Sequence, residues 1–225
     1  MQTETVVLLH GLGRTPLAMT GLEQYLRKQG YQVVNQGYPS RQHAIPELCR
    51  QLMHDLVPQL AGANRIHFVT HSMGGILLRY GLHHWKLPAH RLGRAVMLAP
   101  PNQGSEVVDH LRRLPLIPRL MGPAFLQLGT DCDSIPQQLL GRENNALAMD
   151  VGIITGRKSM EPWFSRWLEG ESDGKVSVAR SQHPAMKDFC VMDVGHTFIM
   201  NDTAVRQQIV QFLRHGLFVH QDDVI

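Results

Sequence analysis

The chain has 225 residues, of which 43% are hydrophobic and 18% are charged, and its formal net charge is only +3. This composition is ordinary for a globular domain, and the length is sufficient for one domain with a sizeable core. The basic residues are dispersed along the chain, so the sequence gives little support for a nucleic-acid partner. We therefore predict a single domain over residues 1–225.

The cysteines and the apolar runs indicate the cellular compartment in which the protein is expected. Three cysteines are an odd number, and their spacing is not that of a zinc site, which argues against a disulfide framework. No apolar run approaches the roughly 20 residues that a membrane helix needs. The first residues contain neither a positively charged segment nor a small-residue cleavage site. We expect a cytoplasmic protein without an integral membrane segment.

Short apolar runs alternate with amphipathic segments, a pattern typical of βαβ units and a parallel sheet. The runs are apolar on both faces, as strands covered by helices on both sides require. The predicted strands are residues 5–9, 32–35, 65–70, 94–98, 151–155 and 189–193, and the predicted helices are 16–29, 47–60, 73–84 and 203–215.

Two segments interrupt this alternation. Residues 103–142 combine many leucines with Pro115, Pro118, Pro123 and Pro136, so we expect irregular structure or short helices there. Residues 157–173 contain three large aromatic side chains. An apolar insertion between core strands is either an additional packing layer or a cover over a substrate. We predict that 103–142 is a small lid-like insertion.

The strongest motif is the segment 65–75, in which an apolar strand runs into Ser72, two glycines and a helical pattern. It resembles the nucleophile elbow of α/β-hydrolases, a sharp turn that holds a strained serine above the sheet. The glycines fit this chemistry because neighbouring backbones almost touch at such a turn. Thr70 stands where that motif usually has glycine, so we expect a less tight turn.

A second motif, His-Gly-Leu-Gly at 10–13, follows the first predicted strand. It resembles the oxyanion loop of α/β-hydrolases, which implies that the backbone N–H groups of Leu12 and Met73 hold the oxyanion. The same glycines approach the dinucleotide fingerprint G-x-G-x-x-G. Pro16 replaces the third glycine, however, and the strand 32–35 ends in no acidic residue for a ribose, so a nucleotide-binding oxidoreductase is disfavoured.

A third motif, Gly195-His196, lies between the last predicted strand and the last helix. Hydrolases of this fold place their catalytic histidine there, and His196 follows Ser72 in the expected chain order. The residues themselves leave several carboxylates open as its partner. They are Glu161, Glu169, Glu171, Asp173, Asp188 and Asp193. Asp173 is preferred because Asp-Gly-Lys-Val resembles the segment that carries the acid in bacterial lipases.

Together these motifs are similar to lipase-like α/β-hydrolases, which implies an α/β-hydrolase fold and a catalytic triad of Ser72, Asp173 and His196. The secreted lipases often hold calcium near the histidine through an acidic residue two positions after it. Phe198 occupies that position here, so no metal and no cofactor are expected.

The resemblance implies a serine carboxylic ester hydrolase that acts on a small or lipid-like ester. A thioesterase or acyltransferase with the same triad, and a non-catalytic binding protein that keeps the hydrolase scaffold, remain alternatives because a fold does not fix a substrate. Leu116, Leu120 and Phe125 in the insertion are the predicted acyl-binding wall, although packing on the sheet explains their apolar character equally well.

Overall fold

The computed structural model describes residues 4–143, 146–159 and 161–220. Each predicted strand is present, and its ends lie within two residues of the predicted ones. The strands are β1 (Glu4–Leu9), β2 (Gln32–Gln36), β3 (Arg65–His71), β4 (Leu92–Leu98), β5 (Asp150–Gly156) and β6 (Asp188–Met192).

The six strands form one sheet in the order β2-β1-β3-β4-β5-β6, and every neighbouring pair is parallel. The predicted parallel sheet is therefore confirmed. Since the chain runs outward from β1 to β2 and then crosses back to β3, the strand order reverses between β1 and β3. A functional site is expected at the carboxyl ends of these two strands, where such sheets open a crevice.

Helices cover both faces of the sheet, as predicted. They are α1 (Thr20–Lys28), α2 (Ile45–Gln59), α3 (Met73–His84), α4 (Glu106–Leu111), α5 (Ile117–Met121), α6 (Pro123–Leu126), α7 (Ile135–Glu143), α8 (Val178–Ser181) and α9 (Thr203–His215). Alternate β1 side chains reach opposite cores: Val7 packs with the cluster that contains α2 and α3, and Val6 packs with the cluster that contains α1 and α9.

Some helix boundaries differ from the predicted ones because tertiary contacts and prolines decide them. The predicted helix 16–29 is divided into a 3-10 turn (Pro16–Met19) and α1. The helix α2 begins two residues earlier than expected, with Pro46 in its first turn, where a missing N–H is harmless. In the described part of the chain, no helix combines the length and the apolar character needed to cross a membrane.

The insertion after β4 folds as the short helices α4 to α7, as its proline content predicted. Its apolar residues are divided between two environments. Phe125 is buried, with 3% of its surface exposed, whereas Leu116 and Leu120 are 72% and 62% exposed. The segment 157–173 contains a 3-10 helix (Pro162–Trp167), and Trp167 stacks on His110 of α4 with 4.8 Å between the ring centroids.

Candidate active site

Ser72 connects β3 directly to α3 and has φ 53° and ψ −123°, a backbone conformation that is strained for any residue with a Cβ. Gly74, the first glycine after Ser72, is needed because neighbouring backbones approach it closely. A Cβ added to Gly74 would lie 2.6 Å from the Leu9 carbonyl oxygen and 2.9 Å from that of His10. The expected loosening by Thr70 is not seen: the strained turn forms with Thr70 fully buried.

The structure brings Ser72, His196 and Asp173 into one chain of hydrogen bonds. Ser72 Oγ lies 3.0 Å from His196 Nε2, and His196 Nδ1 lies 2.7 Å from Asp173 Oδ2. The backbone N–H of His196 also donates to the Asp173 carbonyl at 3.0 Å. Three segments that are far apart in sequence therefore meet above β3, in the arrangement that nucleophilic acyl transfer uses.

Local hydrogen bonds fix the Asp173 carboxylate. Asp173 is fully buried, and its Oδ1 accepts from the backbone N–H groups of Lys175 and Val176, each at 2.9 Å. Gly174 makes this turn possible because its φ is +99°. With Oδ1 held by two backbone donors, Oδ2 faces the imidazole of His196 and can hold it in the tautomer that accepts a proton at Nε2.

The other carboxylates that the sequence left open are placed elsewhere. Asp193 pairs with Arg157 at 2.5 Å, and Asp188 accepts from the backbone N–H of Phe218 and contacts His220. Glu169 and Glu171 are exposed. Glu161 lies near the site, but it contacts Thr197 and Lys175 and makes no hydrogen bond to the His196 imidazole.

The loop after β1 is held by aromatic and polar contacts. His10 stacks on Tyr38 with 4.0 Å between the ring centroids, and its Nδ1 donates to the Gly11 carbonyl at 2.9 Å. The Tyr38 hydroxyl donates to the His10 carbonyl, and burial raises the pKa of Tyr38, so the hydroxyl keeps its proton. The Gly13 N–H donates to Ser40 Oγ at 2.9 Å.

This anchored loop brings Leu12 to the wall of the cavity that contains Ser72, while Met73 opens α3 directly after the serine. The first N–H groups of a helix have no partner within the helix, so the start of α3 can offer donors to an anion. The geometry therefore fits Leu12 and Met73 as oxyanion donors, and their role stays a prediction.

His71, the residue before the serine, makes a contact that the motif did not reveal. Its Nε2 donates to the His196 backbone carbonyl at 3.0 Å, so β3 supports the loop that carries the candidate base. Burial, aided by the neighbouring His196, Arg14 and Lys175, lowers the pKa of His71 well below its usual value. His71 is therefore neutral at physiological pH and acts as a hydrogen-bond donor.

A cavity of about 270 Å³ opens above Ser72 and His196. One side is apolar and comes mainly from the insertion; it consists of Val107, Val108, Leu111, Met121, Phe125 and Leu128. Of the three residues predicted to bind the acyl chain, Phe125 lines the cavity, whereas Leu116 and Leu120 are exposed and do not line it; the acyl-binding role of Phe125 stays a prediction. The cavity is also lined by two cationic side chains, Arg14 and Lys175, which the sequence motifs did not predict. Arg14 lies two residues after Leu12, and Lys175 lies two residues after Asp173.

Nothing among the described residues suggests a resident metal ion. No group of three or more histidine, cysteine or acidic side chains lies close enough to bind one in that part of the chain. Cys49, Cys132 and Cys190 are free thiols. Phe198 is 54% exposed, with the Arg14 guanidinium 5.9 Å from its ring centroid.

Comparisons with known proteins agree with this fold. No curated protein sequence matches the chain significantly. Among solved structures, a Bacillus licheniformis lipase in its mature form has a TM-score of 0.73 at 17% identity, over 93% of this chain and 90% of that one. A Pyrococcus furiosus esterase has a TM-score of 0.65 at 20% identity, over 95% and 82%. A Legionella pneumophila phospholipase has a TM-score of 0.65 at 22% identity over 80% of this chain, which spans only 46% of that one.

These identities are below 25% and show the common fold. The model of the alpha/beta hydrolase family, in contrast, matches residues 6–207, which is nearly the whole chain. With the parallel sheet and the strained Ser72 between β3 and α3, this match assigns the family. The chain belongs to the alpha/beta hydrolase family.

Proposed function

We propose that the protein is a serine carboxylic ester hydrolase that forms an acyl-enzyme on Ser72. The observation that carries this proposal is the continuous hydrogen-bond chain from Ser72 through His196 to the buried Asp173, beneath a cavity of substrate size. A buried carboxylate behind a histidine that contacts a strained serine has the geometry of an activated nucleophile.

In the first half of the reaction, Ser72 Oγ attacks the ester carbonyl carbon while His196 Nε2 takes the hydroxyl proton. The carbonyl oxygen becomes an oxyanion, which in this proposal the backbone N–H groups of Leu12 and Met73 stabilise. Asp173 stabilises the imidazolium. Collapse of the tetrahedral intermediate breaks the bond to the alcohol, and His196 returns the proton to the leaving oxygen.

In the second half, water replaces the alcohol. His196 Nε2 takes a proton from the water, the hydroxide attacks the acyl carbon, and Ser72 recovers its proton as the carboxylic acid leaves. The apolar side of the cavity is suited to the acyl chain, because burying methylene groups is favourable. The lipase, esterase and phospholipase among the structural neighbours support an ester substrate.

The decisive experiment measures hydrolysis of p-nitrophenyl esters of increasing acyl length by the wild-type protein and the Ser72→Ala variant. The substitution should reduce kcat by roughly a million-fold, as in other serine triads. A fluorophosphonate should label the wild type at Ser72 and should not label the variant.

Ser105→Ala is a matched control, because Ser105 lines the same cavity but donates to the Lys175 carbonyl. It should keep most of the activity. Retention of activity by Ser72→Ala would contradict the serine mechanism. Labelling at Ser72 without ester turnover would favour a thioesterase or acyltransferase, and neither labelling nor turnover would favour a non-catalytic scaffold.

A further inference from the structure

The charge of the cavity above Ser72 is unbalanced. Among the described residues that line it, Arg14 and Lys175 are cationic and none is a carboxylate. The buried Asp173 does not line the cavity, and its carboxylate is already engaged by His196 and two backbone N–H groups. Two cations at the wall would oppose the binding of a wholly neutral ester, because desolvating them as the substrate binds costs free energy.

Of the two lining cations, Arg14 has no carboxylate partner among the described residues. It directly follows the anchored Gly11-Leu12-Gly13 loop, its side chain is half-buried, and its guanidinium lies 5.9 Å from the Phe198 ring centroid. Over residues 4–143, 146–159 and 161–220 it makes no ion pair. Guanidinium groups held by an aromatic ring are suited to bidentate recognition of carboxylates and phosphates.

Lys175 is a second, partly neutralised cation. Its ammonium donates to Thr197 Oγ1 at 3.1 Å and lies 3.4 Å from Glu161 Oε1. Lys175 lines the cavity, whereas Glu161 does not. Arg14 and Lys175 both contribute to the low pKa of the buried His71, after burial and the neighbouring His196, so both charges act on the floor of the cavity.

The position of the two cations identifies the part of the substrate that they meet. Arg14 contacts Phe198 and Lys175 contacts Thr197. Thr197 and Phe198 are the first and second residues after His196. His196 Nε2 must deliver its proton to the leaving alcohol oxygen, so the alcohol portion lies on this side. The apolar wall that includes Val107, Met121 and Phe125 belongs to the insertion and suits the acyl portion.

We propose that the preferred substrates are esters whose alcohol portion carries an anionic group, a carboxylate or a phosphate, which Arg14 binds directly with assistance from Lys175. This inference rests on the proposed esterase function and specifies its substrate class. The acyl group occupies the apolar side of the cavity, and the anionic alcohol leaves past the loop 196–198.

The test uses two butyrate esters with almost the same leaving group. One is the ester of 4-hydroxybenzoate, which carries a carboxylate at pH 7.5, and the other is the ester of methyl 4-hydroxybenzoate, which is neutral. The ratio of their kcat/KM values is compared between the wild type and each variant, because the different intrinsic reactivities of the two esters then cancel.

Arg14→Gln should lower this anionic-to-neutral ratio by about tenfold or more, as expected for the loss of a charge-assisted hydrogen bond. Arg14→Lys should restore part of the ratio because it keeps the charge. Added 0.5 M salt should also lower the wild-type ratio, since salt screens a partly exposed charge. Arg119→Gln removes the same charge from an exposed position on α5 that does not line the cavity, and its ratio should equal that of the wild type.

Equal ratios for the wild type and Arg14→Gln, or the same fall in Arg119→Gln, would overturn the anionic preference. The failure of the two proposals is distinguishable. Hydrolysis of both esters through Ser72 with no effect of Arg14 removes only this inference. Absence of Ser72-dependent hydrolysis of either ester removes the proposed function itself.

Discussion

At the scale of single residues, the role proposed for Asp173 depends on the directions of its hydrogen bonds. Its Oδ1 accepts from two backbone N–H groups, so Oδ2 must accept from His196. In Asp173→Asn, the amide oxygen would keep the two backbone donors and the NH₂ group would face His196 Nδ1. The imidazole would then present the wrong tautomer to Ser72, and we expect kcat for a p-nitrophenyl ester to fall roughly ten-thousand-fold.

Asp193→Asn is the matched control for this prediction, because Asp193 pairs with Arg157 at the surface. It should leave kcat nearly unchanged, and circular dichroism should show that both variants are folded. A larger loss in Asp193→Asn or Asp188→Asn than in Asp173→Asn would show that the acid has been assigned wrongly.

The sequence predicted the residues that belong to local motifs and did not predict those that depend on distant contacts. The elbow at Ser72 is a local pattern of strand, serine and glycines, and the structure has the strained turn there. The contact between His71 and the His196 carbonyl spans 125 positions and leaves no local pattern. Arg14 offered one usable signal, a charge directly after the Gly-Leu-Gly loop.

At the scale of elements, close backbone contacts fix the insertion on the rest of the molecule. A Cβ at Gly122, whose φ is +83°, would overlap the Arg41 carbonyl, and one at Gly104 would overlap the Gly129 carbonyl. The backbone N–H of Ile45 also donates to Gln127 Oε1 at 2.7 Å. These contacts favour a fixed wall for the acyl chain over a segment that swings.

If the insertion is such a wall, a larger side chain at Met121 should shorten the acyl chain that fits. Met121 lines the cavity and is only half-buried, so Met121→Trp should be tolerated. Each methylene excluded from the wall costs up to about 0.8 kcal/mol, or about fourfold in kcat/KM. The ratio of octanoate to butyrate hydrolysis should therefore fall, while the midpoint of thermal unfolding changes little.

Leu120→Trp provides the comparison one residue earlier, since Leu120 is 62% exposed and does not line the cavity. Its chain-length preference should match that of the wild type. If Met121→Trp instead lowers stability strongly and leaves the preference unchanged, α5 is core and not a substrate wall.

The elements themselves could be predicted to different degrees. The ends of the strands were predicted to within two residues because a strand covered on both faces must be apolar throughout. Few other segments of this chain are apolar throughout. In the insertion, apolar composition could not show which leucines face the cavity, because several short helices leave no long period to follow. The sequence therefore could not show that Leu116 and Leu120 are exposed while Phe125 is buried.

At the scale of the whole molecule, three buried histidines should make stability depend on pH. His10, His67 and His71 are 0%, 1% and 2% exposed, and burial lowers the pKa of each; that of His67 falls to about 4. The unfolded chain therefore binds protons near pH 6.5 that the folded chain does not. The stabilisation is complete above pH 6.5 and is lost as the pH falls toward the folded-state pKa values.

His67 gives the clearest test, because its Nδ1 accepts from the Arg94 N–H at 3.0 Å and an asparagine oxygen can take the same position. Glu4 lies 3.8 Å from Nε2, but it is 43% exposed and cannot offset burial and the charges of Arg65 and Arg94.

Urea unfolding of the wild type should show the free energy of unfolding decreasing between pH 6.5 and pH 4.5. His67 should contribute up to about 1.4 kcal/mol per pH unit to that decrease. His67→Asn should remove this contribution and flatten the curve, whereas His54→Asn, at a side chain that is 86% exposed, should follow the wild type. Parallel curves for wild type and His67→Asn would mean that His67 is not neutral in the folded protein at these pH values.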